Sequence, residues 1–192
     1  TLLFSVESYV NTAWAYISGL EKRAAEGKDI SKIASVASFF LSRIDSNIDK
    51  RIDDKLKAGA ESINVEAKLR AVKGKIAIAN AKIAYQKYKE IIQSDRWKAL
   101  AEKGAKVQRL LWASTSTKNP EYKDVMYVDE LVGPDTVNTL PPATIEACAD
   151  HCSAENRIES GIQEAYNLIE SLKDPDIDID INQVMDELLS DC

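Results

Sequence analysis

The sequence predicts an α/β fold of the (β/α)8 TIM-barrel type, here an incomplete barrel with four of the eight strands. Three observations lead there. Apolar runs alternate with amphipathic helices, the order expected of βα units on a parallel sheet. No glycine-rich phosphate fingerprint follows any run, which disfavours a dinucleotide-binding sheet. Polar residues gather where the runs end: Ser5, Ser42 with Arg43, Ser114 to Lys118, and Asn138 with Thr139. A (β/α)8 barrel builds its site at those C-terminal strand ends, and a closed one typically needs about 250 residues. The chain has 192.

The elements follow in order. TLLFS, residues 1–5, reads as a buried strand, and Ser5 can cap the next helix. In that helix Val6, Val10, Ala13, Trp14, Ile17 and Leu20 recur at spacings of three and four, and Gly27 ends it. IASVASFFLSR, residues 33–43, is a second strand, finishing at Arg43. Residues 44–57 place Ile44, Ile48, Ile52 and Leu56 on one stripe opposite a charged face, an amphipathic helix. Residues 65–93 read as one long helical stretch in spite of Gly74, and 95–103 as another helix closed by Gly104. KVQRLLWAS, 106–114, is a third strand. A helical turn follows near Val125–Leu131, then a fourth strand, TVNTLP, 136–141. Pro141-Pro142 opens a helix through Ile145 and Cys148. Residues 155–173 are helical, and Asn182 caps a last helix through Leu189. The whole is expected to be a single incomplete barrel domain, 1–192, with 153–192 a mostly helical C-terminal extension.

Composition narrows the class. Apolar residues make up 45% and charged residues 29%, as in an ordinary soluble domain. Lys+Arg is 25 and Asp+Glu 31, a net charge of −6, which argues against broad nucleic-acid or anionic-membrane binding. No apolar run approaches the roughly 20 residues of a membrane span. Three cysteines, Cys148, Cys152 and Cys192, are too few and too unevenly placed for a disulfide framework, so a cytoplasmic setting is expected. The first residues read as a strand in progress and the last as a helix just finishing, so both ends look cut.

Taken together, TLLFS, SVASFFLSRID, GKIAIANAKIAYQKY, GAKVQRLLWASTSTKNPEYKD and TVNTLPPATIEACADH closely resemble the transaldolase family, in that family's order. The resemblance is strongest to the longer bacterial branch with the WAST…KNP signature. It runs from Thr1 to about His151 and continues more weakly beyond. It implies the C-terminal half of a (β/α)8 enzyme, strands five to eight. Such enzymes move a dihydroxyacetone unit between sugar phosphates of the pentose phosphate pathway, through a lysine Schiff base and without a cofactor. The Schiff-base lysine and the acid–base carboxylates would then lie upstream of Thr1, leaving this chain alone inactive. Residue by residue, the resemblance makes Thr1 a water-positioning group and Ser38 and Phe40 sugar contacts. Arg43 and Ser114 become phosphate ligands, with Lys118 beside them.

The chemistry of the residues fits that division. A Schiff-base lysine needs a desolvated site or a cationic neighbour to become neutral, whereas Lys118 lies in a hydroxyl-rich loop. Arg43 offers a planar fork to phosphate oxygens, Lys118 a point charge and Ser114 a hydroxyl. The plainer readings are an arginine paired with a nearby Asp, a solvated loop lysine, and core-filling Ser38 and Phe40. Two rival functions stay open: a non-catalytic sugar-phosphate-binding half-barrel, and a Schiff-base aldolase using Lys118. Cys148, His151 and Cys152, at i, i+3 and i+4, invite zinc, but a fourth ligand is not evident and no metal is expected. Asp176, Asp178, Asp180 and Glu187 imitate a calcium loop, but Ile181 stands where the sharp turn demands Gly. The lysines of 68–89 read as a solvated helix face. Open edges of a four-strand sheet should promote self-association.

Overall fold

The computed structural model describes all 192 residues. Three parallel strands, β1 (Ser35–Phe40), β2 (Gln108–Ala113) and β3 (Thr136–Asn138), lie in the order β1-β2-β3. Ser35 is in register with Gln108, and Leu110 with Thr136. The first expected strand is reduced to a parallel bridge between Leu3 and Phe39 on the far side of β1. Only Leu3 exchanges ladder bonds there: its N–H donates to Ser38 O at 3.1 Å, and its carbonyl accepts from Phe40 N–H at 2.9 Å. The fold is thus α/β with a three-stranded parallel sheet.

Helices α1 (Val6–Ala25), α2 (Ser42–Ala58), α3 (Ile63–Val72), α4 (Ile76–Ile92) and α5 (Asp95–Ala101) precede β2. Then come α6 (Met126–Asp129), α7 (Pro142–His151), α8 (Ile162–Ser171) and α9 (Ile181–Ser190). Ser5 caps α1, accepting from Ser8 N–H at 3.1 Å, and Gly27 follows it at φ +72°. The stripe Ile44, Ile48 and Ile52 is fully buried, as the four-residue period demands.

Four sequence expectations give way. The long helix over 65–93 breaks into α3 and α4 at Gly74, which has φ +67°. A Cβ there would stand 2.6 Å from the Tyr122 ring, so only glycine fits. The strand ending at Arg43 stops at Phe40, and Ser42 and Arg43 form the first turn of α2. The 155–173 helix starts only at Ile162, after Gly161 in the left-handed region. Asp180, not Asn182, caps α9, its carboxylate accepting from Asn182 and Gln183 N–H.

One side of the sheet is covered. Ala37, Phe39, Leu110 and Trp112 are at most 1% exposed, with Phe39 and Trp112 edge to face at 6.0 Å. They join a single core with α1, α2, α4 and the C-terminal residues Ile177, Val184 and Met185. Successive strand residues point to opposite faces. Val36, Ser38, Phe40 and Leu111 therefore face the other way, and all are only half-buried.

Candidate functional site at the strand ends

The candidate site lies where β1 and β2 end. Hydrogen bonding continues past both strands: Leu41 N–H donates to Ala113 O and Ser42 N–H to Ser114 O, each at 3.0 Å. The two serine hydroxyls then meet, Ser42 Oγ to Ser114 Oγ at 2.7 Å. Ser114 holds φ +56°, a left-handed conformation that costs a non-glycine residue about 1–3 kcal/mol and is typically kept where function needs it. Next to it Thr115, wholly buried, shares its hydroxyl between Asn138 Oδ1 at 2.9 Å and Thr139 O at 3.1 Å. That fastens the end of β2 to the end of β3.

Thr1 Oγ1 accepts from Ser38 N–H at 2.9 Å, so Thr1 stands beside Ser38 at the edge of β1. Arg43 is exposed, its guanidinium 5.6 Å from the centre of the Phe40 ring. Its one polar contact is Nη1 to Cys192 Sγ at 2.9 Å. The arginines of α2's third turn, α3 and α5 each hold a carboxylate, Arg51 with Glu187, Arg70 with Glu66 and Arg96 with Glu21; Arg43 holds none, like Arg23 and Arg109. Leu41, which precedes α2, has no capping side chain; backbone carbonyls take two of the first-turn N–H groups, Ser42 N–H by Ser114 O and Ile44 N–H by Leu41 O, and the positive end of the helix lies beside Arg43. Phe40, Arg43 and Ser114 thus gather at one end of the sheet, and Thr1 and Ser38 stand together further back along β1.

Lys118 is placed differently. Its ammonium donates to Ser116 Oγ at 2.8 Å. It lines a cleft of about 320 Å³ with Asp45, Asp49, Asp53 and Asp54 of α2. Arg43 is not part of that cleft.

Sequence reading missed the strongest electrostatic feature. Asp45 and Asp49, assigned to a charged outer face, are 2% and 8% exposed. Asp45 accepts from Ala77 N–H at 2.8 Å and Tyr127 O–H at 2.6 Å. Asp49 accepts from Gly74 N–H at 3.0 Å and Tyr122 O–H at 2.6 Å. Burial pushes the Asp45 carboxyl up to about 6, against the pull of its hydrogen bonds. Burial raises Asp49 as well and is the main cause of the raised Tyr127 and Tyr122 phenols. The signal was available: Asp45, Asp49 and Asp53 recur with the period of the isoleucine stripe, one residue along, and so border the buried face.

The remaining candidates disperse. Cys148 and Cys152 are joined as a disulfide, Cα atoms 4.3 Å apart, contrary to the free thiols expected. Spanning a single helical turn, it links no distant segments. His151 turns to Asp124 at 2.8 Å and Asp150 at 3.0 Å, and these carboxylates raise its imidazole. The calcium-like carboxylates have other work: Asp176 holds Lys68 at 2.5 Å, Asp180 caps α9, and Glu187 pairs with Arg51. Lys82, expected on a solvated face, is 6% exposed and bonds Glu130 at 3.1 Å and Ser160 O at 3.0 Å.

A family model described as Transaldolase/Fructose-6-phosphate aldolase matches residues 1–192. The chain belongs to this family. It is 78% identical over 189 residues to Transaldolase 2 of Nostoc sp. (strain PCC 7120), covering 98% of this chain and 50% of the relative. Transaldolase of Trichodesmium erythraeum is 74% identical over the same shares. Transaldolase of Saccharopolyspora erythraea is 49% identical over 94% of this chain and 46% of its own length. The chain thus spans about half the length of these curated relatives. No helix is long and apolar enough to cross a membrane.

Proposed function

We propose that the chain is the phosphate-binding half of a transaldolase, part of a (β/α)8 barrel that transfers a dihydroxyacetone unit between sugar phosphates in the cytoplasmic pentose phosphate pathway. One observation carries the reading: Arg43 has no carboxylate partner and stands at the open ends of the strands, beside a helix N-terminus that no side chain caps and the Ser42–Ser114 hydroxyl pair. A dianionic phosphate would complete that set. The guanidinium supplies charge-assisted bonds, the first turn of α2 its positive end, and the serine hydroxyls donors. Ser38 and Phe40, on the half-exposed face, would line the sugar, and Thr1, beside Ser38, would hold water near the reacting carbon. Lys118, facing a carboxylate-lined cleft, would serve at the outer margin of the phosphate.

In this reading the Schiff-base lysine comes from outside the chain. Lys118 is hydrogen-bonded and exposed, in a cleft that it shares with four aspartates and with Lys50 and Lys57, not the desolvated setting of a Schiff-base lysine. The single-barrel arrangement of 1–192, with a helical extension from 153, belongs to the same proposal. So does self-association of the isolated chain through its free sheet edges. Borohydride trapping with fructose 6-phosphate tests the reading. An adduct in a chain of the relatives' full length, and none in residues 1–192, is expected; an adduct on Lys118 would overturn it.

A further inference from the structure

We infer that Asp45 and Asp49 are positioning residues, seating the loop after β2 (residues 114–125) on α2 so that Lys118 is held at the outer margin of the phosphate. The inference rests on the function proposed above. Its geometry is a stitch made twice. Each carboxylate uses one oxygen for a backbone N–H at the α3–α4 junction, Ala77 or Gly74, and the other for a tyrosine hydroxyl, Tyr127 or Tyr122. One helical turn apart, the two fasten three segments that are distant in sequence. Tyr122 also lies against Gly74 so closely that no side chain fits there.

The two carboxylates are buried with neutral hydrogen-bond donors and form no ion pair, and burying charge without a cation is expensive. What they secure explains the arrangement. The loop is pinned at its start by the Ser42–Ser114 hydroxyl bond and by Thr115. At its far side it is pinned by Tyr122, with Tyr127 just beyond. The stretch between carries Lys118, exposed and bonded only within the loop. Ser114 is held by its own bonds to Ser42, but a loop tied at that end alone would leave Lys118 unfixed relative to Arg43, which is on the same helix as the two aspartates. Fixed donors bind phosphate without an ordering penalty at the moment of binding.

The test uses a chain of the relatives' full length and fructose 6-phosphate. Tyr122→Phe and Tyr127→Phe remove one hydroxyl each and keep the rings, and the double variant removes both. In the double variant the KM for fructose 6-phosphate should rise about tenfold, with kcat within about twofold. Trypsin should cut faster after Lys118 and Lys123. Each single variant should show a smaller rise, and Tyr16→Phe, whose hydroxyl bonds Lys106 O elsewhere, should leave KM unchanged. Faster cleavage with unchanged KM would overturn the inference, as would unchanged cleavage and KM. A fall in kcat and in folded fraction without a KM effect would mark the tyrosines as merely structural. A wild-type protein that traps no borohydride adduct would instead remove the proposed function, and the inference with it.

Discussion

The two faces of the sheet are made by the same strands and have opposite fates. On the helix side, Ala37, Phe39, Leu110 and Trp112 are sealed into a core continuous with α1, α2 and α4. On the other, Val36, Ser38, Phe40 and Leu111 are half-exposed, and the groups at its strand ends are polar: Arg43, Ser42 and Ser114. One face holds the fold together; the other carries the residues proposed to bind the substrate. Substitutions on alternate residues of one strand should therefore separate stability from binding.

Trp112→Ala should show the largest effect, a loss of about 3–5 kcal/mol in urea unfolding. It removes a fully buried ring, its edge contact with Phe39 and its bond to Leu131 O at 3.2 Å. Phe40→Ala, one residue along from Phe39 but on the open face, should cost the 192-residue chain less than about 1.5 kcal/mol. Equal losses would erase the distinction between the faces.

Next in size is an effect of pH. The folded Asp45 carboxyl titrates near 6, above its unfolded value near 4. A carboxyl raised by folding binds more protons in the native state between those values. Its contribution to stability is therefore greatest at low pH and is lost as pH rises from about 4 through 6. Asp45→Asn should remove that slope, stabilising the chain relative to wild type at pH 8 by on the order of 2 kcal/mol more than at pH 4. Parallel stability curves for the two proteins would show that Asp45 is not held in this state. Smallest of all should be Lys118→Ala, within about 0.5 kcal/mol in stability, because its only partner is Ser116.

Much of this was legible in the sequence. Period-four isoleucines gave α2, Ser5 and Gly27 bounded α1, and polar residues at the ends of apolar runs located the candidate site. The rest depended on contacts across long separations. Gly74 breaks a helix because Tyr122 needs its space, 48 residues on, which local periodicity cannot register. Arg43 reads as a strand terminus, yet the Ser42–Ser114 backbone bond turns the chain into α2 one residue after Leu41. Asp45 and Asp49 look solvated because a helix wheel places them off the apolar stripe. Only the arrival of Tyr127 and Tyr122 from the loop after β2 buries them. The family resemblance sets Lys118 beside Arg43, and the structure seats it in a cleft that Arg43 does not line.

The phosphate role of Arg43 is the centre of the account, and calorimetric titration with fructose 6-phosphate tests it most directly. In a chain of the relatives' full length, Arg43→Ala should weaken binding by about 10–100-fold, the worth of a charge-assisted hydrogen bond set, and leave the thermal midpoint unchanged because Arg43 supports no ion pair. Unchanged affinity, or a lowered midpoint that accounts for the lost binding, would contradict it.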